Sequence, residues 1–202
     1  MKYPIFASFI VFCVWLGYEL HKHRNMEAKA DRDFWERETA ANNTRRKSLD
    51  GLAYIQIPFE ALPMNTLAED ETVADCHQTL RELSKSPIVN LTGISNTDLK
   101  LQYGAPNLEL LSQYDQCYTT LARTLQNWAK LLYDRGYSQE ACQVLEFAMQ
   151  TGTDISSSYK LLSTIYLESG RKDRIPDLIP VAEGLNSSLN THIVTMLKEL
   201  AK

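Results

Sequence analysis

The sequence lacks the short motifs that most often identify an enzyme. Its 202 residues contain no HExxH, no GxSxG and no glycine-rich loop that could hold a phosphate group. The four histidines are scattered, so the sequence brings no histidine together with a second reactive group. We therefore predict that the chain is not an enzyme and has no catalytic residue, no cofactor and no metal site.

Cysteine is also too sparse and too widely spaced for a structural zinc site. Structural zinc needs four ligands, usually in two close pairs, and no CxxC pair occurs here. Buried reduced thiols are the simplest interpretation. A disulfide between two of the cysteines outside the N-terminal segment is the alternative. Cys76 and His77 resemble a nucleophile and its base, but adjacent residues on a helix point in different directions and cannot meet. The cysteines are Cys13, Cys76, Cys117 and Cys142.

A net positive charge is missing from most of the chain. Residues 48–202 carry twelve Lys and Arg against nineteen Asp and Glu. A nucleic-acid-binding domain needs a basic face to neutralise phosphates, so this composition argues against one. Residues 21–47 differ, with eight basic against five acidic residues. Such a basic stretch after a hydrophobic segment is typical of a chain near anionic lipid headgroups.

The one long hydrophobic run lies at the N-terminus, where residues 4–20 carry no charge before Glu19. We predict a transmembrane helix within residues 1–24 that contacts membrane lipid through residues 4–20. A cleaved signal peptide is the alternative, although no clear small-x-small cleavage site follows. Because basic residues are in excess after the segment, we expect a single-pass cell-membrane protein whose remaining domain is cytoplasmic.

The next two segments differ in their content of helix breakers. Residues 25–50 read as a charged juxtamembrane helix, since they contain no glycine or proline. Residues 51–106 are predicted to form an extended strap with short helices, because Pro58 and Pro63 exclude a central strand. Apolar spacing predicts a helix over 69–84. A capping residue at Ser95 or Asn96 predicts a shorter helix as far as Lys100 or Tyr103.

Residues 107–202 form the last segment, and they carry an internal repeat. Apolar residues recur every three or four positions from Asn107 to Arg135, which predicts either one long helix or two. Gly136 and Gly170 then lie 34 residues apart, and each ends one helical pattern before another begins. The first unit contains Leu125, Trp128, Ala129, Leu132, Gly136, Ala141, Leu145 and Ala148. The second contains Tyr159, Leu162, Ser163, Tyr166, Gly170, Ile175, Ile179 and Ala182.

This pattern resembles the tetratricopeptide repeat over about 70 residues. The resemblance implies antiparallel helix pairs, with small residues at close helix contacts and Trp128 and Tyr166 in one shared interior. The pattern departs from the family at Pro176 and Pro180, which should bend the second helix of the second unit. A partial third unit from Ile193 to Leu200 indicates a capping helix.

The overall layout also resembles small membrane-anchored proteins of Gram-positive anaerobes. That resemblance depends on three segments and implies no activity. They are FWERE at Phe34–Glu38, TRRKSLD at Thr44–Asp50 and GISNTDLKLQYGAPN at Gly93–Asn107.

We thus expect an all-α protein in which a transmembrane helix precedes tetratricopeptide-like hairpins. The leading functional hypothesis is a membrane-anchored adaptor that binds another protein through the groove such repeats form. Because three groove residues are basic, we expect a partner that presents a carboxylate or an acidic segment. Matching to the repeat places these residues in the groove: Arg123, Gln126, Lys130, Tyr133, Asp134, Lys160, Thr164 and Leu167.

Three alternatives stay open. In the first, the chain is a structural subunit of a larger membrane complex and makes contact through Phe34, Trp35 and the strap at residues 54–63. In the second, Arg123, Lys130 and Lys160 are simply solvated helix residues. In the third, the chain is an enzyme whose site the known motifs do not identify.

Overall fold

A computed structural model of the chain describes residues 4–201. Within that range the protein is 68% helix and contains no strand, so the prediction of an all-α fold is confirmed. The eight helices over these residues are α1 (Pro4–Asn42), α2 (Glu71–Leu83), α3 (Asn96–Tyr103), α4 (Leu108–Asp134), α5 (Ser138–Gln150), α6 (Ser156–Glu168), α7 (Leu178–Glu183) and α8 (Asn190–Leu200).

Contacts divide the chain into two compact units that do not follow the order of the sequence. The first unit consists of the residues up to Lys47 together with Asn96–Pro106. The second consists of Ser48–Ser95 together with Asn107–Lys202. Helix α3 therefore belongs with α1, although α2 lies between them in the sequence.

Polar contacts join α3 to the end of α1 in the first unit. Lys100 forms an ion pair with Glu38, whose carboxylate also accepts a hydrogen bond from Thr97. Arg37 pairs with Asp98 in the same way. Beneath these contacts, the buried apolar side chains of the described part of this unit are Ala41 and Leu99.

The sequence was misleading about the N-terminal segment. No helix over residues 4–201 is both long enough and apolar enough to cross a membrane. The prediction of a transmembrane helix, and with it that of a single-pass cell-membrane protein, is therefore wrong. Helix α1 is 39 residues long, but only Pro4–Tyr18 precedes its first charged residue, Glu19. This stretch spans about 22 Å, whereas the hydrocarbon core is about 30 Å thick. The predicted lipid contact of residues 4–20 stays a prediction.

In the second unit, α2 begins where the sequence indicates. The Asp70 carboxylate accepts hydrogen bonds from the backbone amides of Thr72 and Val73, at 3.1 and 3.2 Å. This satisfies two amides that the first helical turn leaves free. The same carboxylate pairs with Arg135 at 2.6 Å, which joins the start of α2 to the residue following α4.

Helices α4 to α7 cover the residues of the predicted repeat. Residues 108–134 form one continuous helix, which answers the question the sequence left open. Gly136 and Gly170 have φ angles of +88° and +71°, a conformation that glycine adopts without strain, and each follows a helix. Past Gly170, a short 3₁₀ turn and the six-residue α7 replace the second helix expected there. Pro176 and Pro180 account for this break, because each lacks the amide of a helical hydrogen bond.

A single apolar core holds this unit together. Trp128 and Tyr166, at 0% and 2% exposed, lie in the same buried cluster. The small residues at the predicted close contacts are buried as well: Ala129, Ala148, Ser163 and Ala182.

The segment before α2 lies along this core as an irregular chain. Tyr54 makes an isolated antiparallel bridge with Val89, and the amide of Ile55 donates to the carbonyl of Ile88 at 2.9 Å. Half-buried apolar side chains then pack against the core. They are Ile55, Ile57, Phe59, Met64 and Leu67.

Candidate functional site

Helices α4 and α6 enclose a cleft with a volume of about 500 Å³. Leu125, Trp128 and Leu132 of α4 face the core. Gln126, Asn127 and Lys130 of the same helix point the other way and line the cleft. The cleft is lined by Gln126, Asn127, Lys130, Tyr133, Asp134, Ser157, Lys160, Leu161 and Thr164.

Two hydrogen bonds connect the walls of the cleft. The Ser158 hydroxyl donates to Oε1 of Gln126, and the Tyr133 hydroxyl donates to Oε1 of Glu168 at 2.7 Å. The first bond joins residues nearer the N-terminal ends of α4 and α6, and the second joins residues nearer their C-terminal ends. The two helices therefore run in the same direction along the cleft.

The cleft carries charged groups of both signs. Lys130 and Lys160 are exposed, and within residues 4–201 neither forms an ion pair with a carboxylate. Asp134 supplies a negative charge beside Tyr133. The hydrogen bond to Glu168, partial burial, and the charges of Glu168 and Asp134 together raise the pKa of the Tyr133 phenol. Two carboxylates, those of Asp134 and Glu168, therefore lie at the Tyr133 end of the cleft.

The structure brings most of the predicted groove residues together. Arg123 and Leu167, at the two ends of the predicted set, are exposed but do not line the cleft. Six of the eight do line it: Gln126, Lys130, Tyr133, Asp134, Lys160 and Thr164.

Several residues at the cleft were missed by the sequence analysis. Ser157 and Leu161 lie three before and one after Lys160, so helical spacing from Lys160 and Thr164 could have found them. Glu168 had no such signal. Its role follows from the bond with Tyr133, which is 35 positions away in the sequence.

Cys76, Cys142 and His77 lie outside the cleft and are half-buried or buried, which makes them poorly suited to nucleophilic chemistry. Burial raises the pKa of the Cys76 and Cys142 thiols, which disfavours the reactive thiolate. His77 is 2% exposed and lies edge-on to Trp128, with 4.8 Å between ring centroids. Over residues 4–201 no three His, Cys, Asp or Glu side chains are grouped so that they could hold a metal ion.

A second cavity of about 270 Å³ lies near Asn90 and Asn186. Its polar groups bond mainly to one another or to the backbone: Ser187 donates to Asp154 at 2.7 Å, and Asn90 donates to the carbonyls of Thr151 and Gly152. The α4–α6 cleft, whose lysines lack such partners, is the better candidate for binding.

Comparison of the chain with protein-family models, with curated proteins and with solved structures found no match.

Proposed function

We propose that the chain is a protein-interaction module built from tetratricopeptide-like helix pairs, and that the cleft between α4 and α6 binds its partner. The observation that carries this proposal is the placement of Lys130 and Lys160. Both lysines line one cleft from different helices, and neither forms an ion pair with a carboxylate within the described residues. A carboxylate on a partner segment would supply the missing charge.

The repeat-like arrangement supports the proposal in a second way. In a stack of helix pairs, the first helices of successive pairs line a common surface. Here α4 and α6 run in the same direction, are separated by one helix, and present side chains to the same cleft. The half-buried Leu161 and Tyr133 give this surface apolar area, which most specific interfaces need.

The test is affinity capture with the tagged full-length chain from its source cells. Lys130→Glu with Lys160→Glu should remove the partner proteins that wild-type chain retains, because the cleft then repels a carboxylate. Lys172→Glu is the matched control, since Lys172 is exposed and lies outside the cleft. Circular dichroism should show that all variants fold alike. Identical captured proteins from wild type and the double variant would overturn the proposal.

One observation favours a second contact surface, for a role as a structural subunit. Phe34 and Trp35 on α1 are 57% and 64% exposed, and their rings meet edge to face with centroids 5.4 Å apart. Exposed aromatic pairs are typical of protein contacts. A photoreactive residue placed at position 35 or at position 133 would show which surface makes the contact. Cross-links from position 35 alone would favour the structural role.

A further inference from the structure

The charged groups along the α4–α6 cleft follow the same order on both walls, and what we infer from this order rests on the proposed function. On α4, Lys130 is followed one turn later by Asp134, which also lines the cleft. On α6, Lys160 is followed by Glu168, whose carboxylate holds the hydroxyl of the lining residue Tyr133. Both walls therefore place a lysine before a carboxylate.

Because the two helices run in the same direction, the acidic groups of both walls lie towards the same end of the cleft. With Gln126 bonded to Ser158 and Tyr133 to Glu168, the two carboxylates lie at about the same level towards the C-terminal ends of α4 and α6. Lys160 lies about one helical turn before Lys130 along the cleft. At a helical rise of about 1.5 Å per residue, the basic and acidic groups are separated by about 6 Å along α4 and about 12 Å along α6. The cleft thus has a basic middle and an acidic end.

None of these four charges is neutralised by its own chain. Within residues 4–201, Lys130, Lys160, Asp134 and Glu168 take part in no ion pair. The Tyr133 hydroxyl donates to the Glu168 carboxylate, and Asp134 follows Tyr133 in the sequence, so both acidic groups lie at the same end of the cleft. A partner with acidic residues along its whole length would be attracted by the lysines and repelled by the carboxylates.

We propose that the cleft binds a peptide segment of mixed charge, with an acidic side chain over Lys130 and Lys160 and a basic side chain over Asp134 and Glu168. Opposite charges at two points fix the direction in which the segment lies, because reversing it places like charges together at both ends. Leu161 and the Tyr133 ring, which lie between the two groups, accept an apolar side chain from the middle of the segment.

The experiment selects ligands for the full-length chain from a phage library of short random peptides. Wild-type chain should enrich peptides with an acidic residue and a basic residue two to four positions apart, a spacing that extended chains of about 3.3 Å per residue need. Lys130→Glu with Lys160→Glu should abolish the acidic preference. Asp134→Asn with Glu168→Gln should abolish the basic preference and retain the acidic one. Lys172→Glu with Asp173→Asn, exposed and outside the cleft, is the control.

A synthetic copy of an enriched peptide with its acidic and basic residues exchanged should bind roughly tenfold more weakly, as expected when two exposed charge pairs become repulsive. The outcomes separate the two proposals. Peptides that are acidic throughout, and that depend on the lysines but not on the carboxylates, would overturn the inference and leave the binding cleft standing. Selection that yields no peptides, or peptides indifferent to both double variants, would overturn the binding cleft itself.

Discussion

Different interactions stabilise each of the two compact units of this chain. In the first unit, α3 is joined to α1 mainly by ion pairs and hydrogen bonds. The buried apolar side chains in its described part are Ala41 and Leu99. The second unit encloses an extensive core with Trp128, Tyr159 and Leu145 at or near 0% exposure. Each large apolar side chain that is fully buried stabilises a fold by about 1.5–3 kcal/mol, whereas an exposed ion pair contributes about 0–1 kcal/mol.

This difference shows where the candidate function can be supported. A binding cleft needs walls that hold their positions, and α4 and α6 have that support because their inner faces are part of the large core. The α1–α3 contact depends on charged groups near solvent, so salt and pH should affect it more.

The largest expected effect tests the core of the second unit. Trp128→Ala should lower the free energy of unfolding by about 3–5 kcal/mol, because it leaves a large cavity among closely packed side chains. Urea denaturation followed by circular dichroism measures this. Trp128→Phe should cost clearly less because most of the volume remains. A loss below about 1 kcal/mol for Trp128→Ala would mean that the core is not closely packed.

A smaller effect tests the backbone contact in the first unit. Gly104 has a φ angle of +94°, and a Cβ placed there would lie 2.2 Å from the carbonyl oxygen of Arg45. Gly104→Ala should therefore break the nearby bonds from the Lys47 amide to Tyr103 and from the Ala105 amide to Thr44. Hydrogen exchange at those two amides should become faster.

Gly136→Ala is the matched control for Gly104→Ala. Gly136 has a similar φ angle of +88°, but a Cβ there would meet nothing within 4 Å. Its cost should be limited to the backbone strain of about 1–2 kcal/mol. Equal exchange rates in the two variants, each measured at its own turn, would show that the Arg45 contact does not constrain the first unit.

The smallest expected effect is a difference in the pH at which each unit begins to lose stability. Burial, with a contribution from Arg81, lowers the pKa of His77 below its ordinary 6.5. Hydrogen bonds from Lys100 and Thr97 lower the pKa of Glu38 below its ordinary 4.5. In both cases the unfolded chain takes up its proton first as the pH falls, so stability is lost with acidification. The loss begins near pH 6.5 for α2 and only below pH 4.5 for the α1–α3 contact.

Hydrogen exchange of α2 and α3 amides between pH 7 and pH 4 measures this order. His77→Phe should remove the first step, because the ring remains and the titrating group does not. Lys100→Met should weaken the second step by removing the first cause of the Glu38 shift. Simultaneous weakening of α2 and α3 in the wild-type chain would contradict the assignment.

Much of the helical pattern could be predicted from the sequence. The predicted helix over 69–84 corresponds to α2, which Asp70 caps, and the stop at Gly136 lies two residues after α4 ends. These features depend on neighbouring residues, so local spacing is sufficient to find them. The break near Pro176 and Pro180 was predicted for the same reason, although the helix is interrupted more completely than a bend.

Errors arose where a local pattern needed a length or a distant contact to decide its meaning. The apolar run at residues 4–20 suggested a membrane span, but charges from Glu19 onwards leave it too short. The association of α3 with α1 had no local signal, because about 60 residues separate Glu38 from Lys100. Glu168 was missed at the cleft for the same reason.

The sequence by itself determined most of the helices, several of their ends and the spacing that places lysines on the outer faces of α4 and α6, because these depend on residues within a few turns of one another. The tertiary structure decided that those faces meet in one cleft, that the helices run in the same direction, and that two carboxylates lie at one end. Such relations depend on which distant segments pack together, and packing depends on the shapes of all the side chains in the core.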